Sequence, residues 1–158
     1  MLYITGNIFD ISSWSYQPNT PAIALGITTN GMVKTNGHAV MGAGIAKGFA
    51  QRYPQLPVIL GHRLLKGGNQ VHYLLAQGNI YLFSFPTKHH WHEPSDLALI
   101  VNSAKTLANW AKRSNQCTFV LPAPGCGLGG LDWNIVTQAI APLLPDNCWI
   151  VNYPHPLR

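Results

Sequence analysis

The sequence predicts an α/β fold, a three-layer α/β/α arrangement in which helices cover both faces of a mixed sheet. Three observations predict it. Apolar runs of strand length recur through the chain, at 2–5, 22–27, 71–76, 80–85, 117–121 and 148–151. Between them lie stretches of helical periodicity, the clearest being Leu97, Ile100, Val101, Ala104, Leu107, Ala108 and Ala111, spaced i, i+3, i+4. Strands alternating with helices indicate a sheet covered by helices. At 158 residues the expectation is one domain over 1–158, burying roughly two-thirds of its unfolded surface.

Taken in order, Leu2 to Thr5 is a short strand closed by Gly6-Asn7, followed by Ile8-Phe9-Asp10 and a polar, aromatic loop to Thr20. Residues 22–27 are continuously apolar, as in a strand buried on both faces. Thr28-Thr29-Asn30-Gly31 ends that strand, and Met32 to Ala39 forms an extra loop. A short helix follows Gly44 and ends at Arg52-Tyr53-Pro54. Residues 56–66 are ambiguous, apolar enough for a helix but interrupted by Gly61. Gln77-Gly78-Asn79 joins two strands as a hairpin. After Pro94, Ser95 is a candidate cap for the long helix. Asp132 is a candidate cap for a helix from Trp133 to about Leu144, with Ile135, Val136, Ala139 and Ile140 inward and Pro142 weakening its last turn.

Charged residues make up only 9% of the chain and the net charge is +5. Between Asp10 and Glu93 there is no acid, while Lys34, Lys47, Arg52, Arg63, Lys66 and Lys88 fall there. Such a field favours anionic ligands and some nonspecific contact with nucleic acid. Three cysteines without metal spacing, Cys117, Cys126 and Cys148, suggest reduced thiols in a cytoplasm. No signal peptide and no apolar stretch of 18 residues is present, so no membrane partner is expected.

Two glycine-rich loops carry the chemistry. Met41-Gly42-Ala43-Gly44-Ile45-Ala46 opens the first helix, and Gly125-Cys126-Gly127-Leu128-Gly129-Gly130 follows a strand and precedes another. Glycine lets a ligand approach the backbone, and the first amides of a helix lack intrahelical partners at its positive dipole end. Each loop is therefore an anion site, and the pair suits the two phosphates of one ligand. Gly125, Gly127 and Gly130 match a dinucleotide fingerprint, but Asp146, about 20 residues on, lies at the start of the last strand and not at the end of one. Neither loop has the Gly-Lys-Ser/Thr of a P-loop, so neither dinucleotide oxidoreductase nor nucleotide triphosphatase chemistry is expected.

With Thr5-Gly6-Asn7-Ile8, Thr28-Thr29-Asn30 and Phe85-Pro86-Thr87-Lys88-His89-His90-Trp91, these loops resemble the macrodomain family over nearly the whole chain. The pairing of Met-Gly-x-Gly-Ile-Ala with Gly-Cys-Gly-x-x-x-Leu-x-Trp is similar to the branch of terminal ADP-ribose glycohydrolases and antitoxin macrodomains acting on DNA. The resemblance implies ADP-ribose as ligand. Asn7 and Ile8 would meet the adenine, Asn30 the distal ribose, and Met41, Gly42, Gly44, Ile45 and Ala46 with residues 125–130 the pyrophosphate. It implies Lys88 as the catalytic residue, attacking or polarising the anomeric carbon. A lysine with pKa about 10.4 is mostly protonated at neutral pH, so attack needs desolvation or a cationic neighbour such as His89.

Three departures from the family accompany the match. Asn7 stands where most members have Asp, the 32–37 insertion is long, and Gly129 stands where the terminal glycohydrolase has an aspartate. Cys126 reads as a packing residue and not a nucleophile. His89, His90 and His92 lack a second cluster of ligands, so no metal or cofactor is expected. Trp91 and Phe85 are candidates for stacking on a ribose or nucleobase, or for packing. The leading expectation is hydrolysis of an ADP-ribosyl linkage, on DNA bases or elsewhere. Its alternatives are a non-catalytic reader of ADP-ribose and a phosphatase acting on ADP-ribose phosphate. Partners implied are an ADP-ribosylated substrate, DNA and a toxin, with the chain itself a monomer.

Overall fold

A computed structural model describes residues 1–153. The elements run β1 (Leu2–Thr5), β2 (Ala22–Thr29), α1 (Gly44–Arg52), α2 (Leu56–Gly67), β3 (Tyr73–Gln77) and β4 (Ile80–Pro86), then α3 (Leu97–Lys112), β5 (Cys117–Pro122), α4 (Trp133–Ile140) and β6 (Cys148–Asn152). One sheet has the order β1-β6-β5-β2-β4-β3. Every neighbouring pair is parallel except β3 with β4, the hairpin read from Gln77-Gly78-Asn79. The mixed α/β architecture is as expected. Five strands consequently end at the same edge of the sheet.

The continuous apolar run of β2 is buried on both faces. Ile23, Leu25 and Ile27 join Phe49, Leu56 and Leu60 beneath α1 and α2. Ala24, on the other face, joins Ile100, Leu107, Val136 and Ile140 beneath α3 and α4. Gly26 breaks the run for a packing reason: a Cβ there would overlap the Leu121 side chain and come within 2.8 Å of the Phe83 ring.

The ambiguous segment is helix α2. Gly61 does not weaken it; a Cβ at that position would overlap the Gly37 carbonyl of the 32–39 loop. Ala39 N–H donates to the Pro57 carbonyl at 2.8 Å, and the Ala39 side chain is buried in the same cluster as Leu56 and Leu60, so the extra loop docks on α2.

Three local expectations are corrected. Asp96, not Ser95, caps α3: its carboxylate accepts from Ala98 N–H at 2.9 Å. Aspartate is the better acceptor there, and Ser95 is turned into the protein. Asp132 caps α4 as expected, through Asn134 N–H at 2.7 Å, but α4 stops at Ile140. Pro142 has no N–H to give the Gln138 carbonyl, so the helix does not reach Leu144. Ile135 is exposed, because the stripe facing the core is Val136 and Ile140, four residues apart.

Gly26→Ala should destabilise the protein by about 1–3 kcal/mol, since the added methyl overpacks a closed interior. Urea unfolding measures this; an unchanged midpoint would contradict the packing of β2 between β4 and β5.

Candidate functional site

The carboxyl ends of β1, β2, β4, β5 and β6 surround a cleft of about 990 Å³. β2 pairs with β4 as far as Thr29 opposite Pro86, but its pairing with β5 stops at Leu25 opposite Val120. Beyond that point the two central strands part, and the cleft opens between them.

Both glycine loops face this space. Of the expected site residues, Asn7, Ile8, Asn30, Met41, Gly42, Gly44, Ile45, Ala46, Lys88, Gly125, Cys126, Gly127, Leu128 and Gly129 line it; Gly130 does not. Gly130 turns the loop instead, at φ 77°, and donates its N–H to the Gly127 carbonyl at 3.2 Å. The first bond of α1 runs from Lys47 N–H to Ala43 O, and Ala43 offers no side-chain cap. The amides of Gly44, Ile45 and Ala46 are thus left toward the cleft. Across from them, the N–H groups of residues 126–129 make no hydrogen bond among the described residues. Gly44 has φ 58°, and a Cβ on it would lie 3.4 Å from Leu128 Cδ1, so the two loops nearly touch over the cleft.

No Asp or Glu lines the cleft among the described residues. Gly129 explains one absence. A side chain there would overlap Ser95 Oγ, a buried hydroxyl that fills the position and makes no hydrogen bond among the described residues. Ser95 N–H also donates to Gly129 O at 3.0 Å, tying the second glycine loop to the start of α3.

Lys88 sits on a clamped backbone. Thr29 O accepts from Thr87 N–H at 3.0 Å and from Lys88 N–H at 3.4 Å. Asn69 Nδ2 donates to Lys88 O at 3.0 Å, and Gly31 N–H to His89 O at 3.0 Å. The Lys88 amine itself donates to Trp91 O at 3.5 Å. His89 is engaged elsewhere, Nε2 lying 2.8 Å from Asp96 Oδ2. It therefore ties the lysine loop to the α3 cap and is not the lysine's cationic neighbour. His90 stacks on His92, and Phe85 is fully buried in the core.

At the opposite end, Asn7 Oδ1 accepts from Phe9 N–H at 2.9 Å, forming a local turn. Its second lone pair remains. Ile8 N–H makes no hydrogen bond among the described residues. Asn30 spends much of its amide on the fold, donating to Val40 O and accepting from Met32 N–H, each at 3.0 Å. Cys126 is a thiol: burial, aided by the Asp132 charge, pushes its pKa up, and Sγ donates to Pro124 O at 3.4 Å. Phe9, Thr29, Ser95, Asn152 and Tyr153 also line the cleft. Thr29, Asn152 and Tyr153 could have been marked by their places at strand ends, whereas Ser95 carried the opposite signal of a cap.

No protein-family profile matches the chain. It is 33% identical over 133 residues to the DNA ADP-ribosyl glycohydrolase of Mycobacterium tuberculosis, covering 75% of this chain and 36% of that protein. A DNA ADP-ribosyl transferase–DNA ADP-ribosyl glycohydrolase fusion protein of Thermosipho africanus is 27% identical over 125 residues, covering 66% of this chain and 32% of the fusion. The chain spans about a third of the length of the curated relatives it matches. Among solved structures, the macrodomain of Thermus aquaticus DarG superposes with TM-score 0.70 at 28% identity, over 98% of this chain and 97% of that one. The macrodomain of Mycobacterium tuberculosis DarG gives 0.66 at 27%, over 98% and 99%.

The Asp96 pKa is lowered, chiefly by the His89 hydrogen bond. A depressed folded-state pKa contributes stability above the unfolded value, here 3.8, that is lost as pH falls through the folded value. Asp96→Asn keeps a capping side chain but removes this charge. Thermal melts from about pH 6 to about pH 3 should therefore show a smaller loss of stability in Asp96→Asn than in the unmodified protein. Parallel curves would contradict the His89–Asp96 link.

Proposed function

Because the chain belongs to the macrodomain family, we propose that it binds ADP-ribose in this cleft and hydrolyses an ADP-ribosyl linkage on a DNA base, with Lys88 as the catalytic residue. The observation that carries the proposal is the facing pair of glycine loops with Lys88 on a clamped backbone in the same cleft. The pyrophosphate would accept hydrogen bonds from the bare amides at 44–46 and 126–129. The adenine would lie at Asn7 and Ile8, its amine donating to the free lone pair of Asn7 Oδ1 and a ring nitrogen accepting from Ile8 N–H. The distal ribose then reaches the Lys88 end.

In the reaction, the Lys88 amine first gives its proton to solvent and then attacks the anomeric carbon of the distal ribose. The bond from that carbon to the base nitrogen breaks, its electron pair leaving on the base, which takes up a proton. Water then adds to the ribosyl carbon of the lysine adduct, releasing ADP-ribose and restoring the amine. The fused Thermosipho relative carries a DNA ADP-ribosyl transferase and a glycohydrolase in one protein. By the same logic, the partner proposed for this chain is a DNA-modifying transferase that acts as a toxin.

Two substitutions test the phosphate site without straining the backbone. A Cβ at Gly42 or at Gly127 would meet no atom within 4 Å, and neither residue has a positive φ. Gly42→Val and Gly127→Val should leave the melting temperature nearly unchanged while ADP-ribose affinity falls at least tenfold, about 1.4 kcal/mol. Calorimetry that finds unaltered affinity in both would remove the phosphates from these loops.

Lys88→Ala should abolish release of ADP-ribose from modified single-stranded DNA while ADP-ribose affinity stays within severalfold. Full turnover in that variant would exclude the lysine mechanism. Binding without turnover in the unmodified protein would favour the reader.

A further inference from the structure

Trp91 is 57% exposed although it lines the cleft beside Lys88. Its position is built, not incidental. The loop carrying it is fastened at its start by Thr29 O, Asn69 Nδ2 and Gly31 N–H, and at its end by Asp96 N–H donating to Thr87 O at 2.9 Å. A turn closed by Glu93 N–H on His90 O at 3.2 Å presents the apex. The indole meets the His92 ring edge-on, at 5.3 Å and 75°, so this neighbour does not stack across it. The Lys88 amine bonds to the Trp91 carbonyl, which couples the aromatic ring to the charge in one short segment. His89 and His90 are each beside an acid, Asp96 at 2.8 Å and Glu93 at 3.8 Å. Lys88 is the unpaired fixed cation of the loop among the described residues.

We propose that Trp91 is a stacking platform for a base of single-stranded nucleic acid, holding the base from which ADP-ribose is removed. The inference rests on the proposed function and names the group on the leaving side of the bond. That group must lie outside the ADP-ribose cleft on the lysine side, where Trp91 forms the rim. A nucleobase has a flat π face that stacks on an indole, and the Lys88 ammonium offers its phosphate a cation, while the loop's two carboxylates, Glu93 and Asp96, face His90 and His89. Duplex DNA keeps its bases stacked and out of reach of a rim residue, so the platform selects single strands.

The test is fluorescence anisotropy with a fluorescein-labelled oligothymidylate of about eight nucleotides at low ionic strength, a length within the range one stacking groove covers. ADP-ribose calorimetry on the same proteins runs beside it. The unmodified protein should bind the single strand, and more weakly its duplex. Trp91→Ala should weaken oligonucleotide binding about tenfold or more, Trp91→Phe should restore most of it, and Trp91→Leu should not. ADP-ribose affinity should be the same in all four. A protein that binds ADP-ribose but not the oligonucleotide overturns the platform and leaves the cleft assignment intact. Equal oligonucleotide binding by Trp91→Ala also overturns it, as does a parallel loss of ADP-ribose affinity, which would put Trp91 inside the ADP-ribose site. Failure of the unmodified protein to bind ADP-ribose would overturn the cleft assignment and with it the placement of the leaving base.

Discussion

The cleft depends on where the pairing of two central parallel strands stops. β2 and β5 run side by side from Ala22 opposite Cys117 to Leu25 opposite Val120, and then separate. β2 continues along β4 to Thr29, and β5 continues along β6 to Pro122 opposite Val151. The fork opens at the carboxyl ends of parallel strands, the general location of ligand crevices in α/β sheets. Gly26, just past the last pair between β2 and β5, carries no side chain because Leu121 and Phe83 fill the space a Cβ would take. Residues far apart in sequence meet here because each ends or follows a strand: Asn7 after β1, Asn30 after β2, Lys88 after β4, Gly125 after β5 and Asn152 on β6.

Side chains cap α3 and α4 but neither α1 nor α2. Only five acids are present, and two of them, Asp96 and Asp132, cap α3 and α4 without lining the cleft. α1, whose first turn faces the cleft, receives no side-chain cap. A serine or aspartate before Gly44 would satisfy one of those amides and add about 0.5–2 kcal/mol. The chain forgoes that stabilisation, and the amides remain available for an anion. Ser95 over Gly129 acts in the same direction, filling with a neutral hydroxyl the position a carboxylate would occupy. An acid-free cleft follows, suited to a diphosphate.

Much of this was legible in the sequence because it is written in local patterns. Apolar runs of four to eight residues gave the strands, the i, i+3, i+4 series gave α3, and glycine pairs before helices marked the two loops that line the cleft. The parts that were not legible depend on contacts distant in sequence. Gly61 looked like a helix defect because the Gly37 carbonyl it accommodates arrives from a separate loop. Ser95 looked like a cap because its neighbour Asp96 competes for the same amides, and geometry decides between them. His89 looked like a partner for Lys88, its chain neighbour, but the side chain reaches seven residues along to Asp96. Asn7 and Asn30 matched in position, while the share of each amide already spent on the fold appeared only with the coordinates.

The central claim is that the two glycine loops act as one site for the two phosphates of ADP-ribose. Backbone amide resonances followed by NMR during an ADP-ribose titration test it most directly. The account predicts that Gly44, Ile45 and Ala46 shift together with Gly127, Leu128 and Gly129, along one saturation curve, while amides of α3 away from the cleft stay still. Shifts confined to one loop, or two loops saturating at different concentrations, would contradict it.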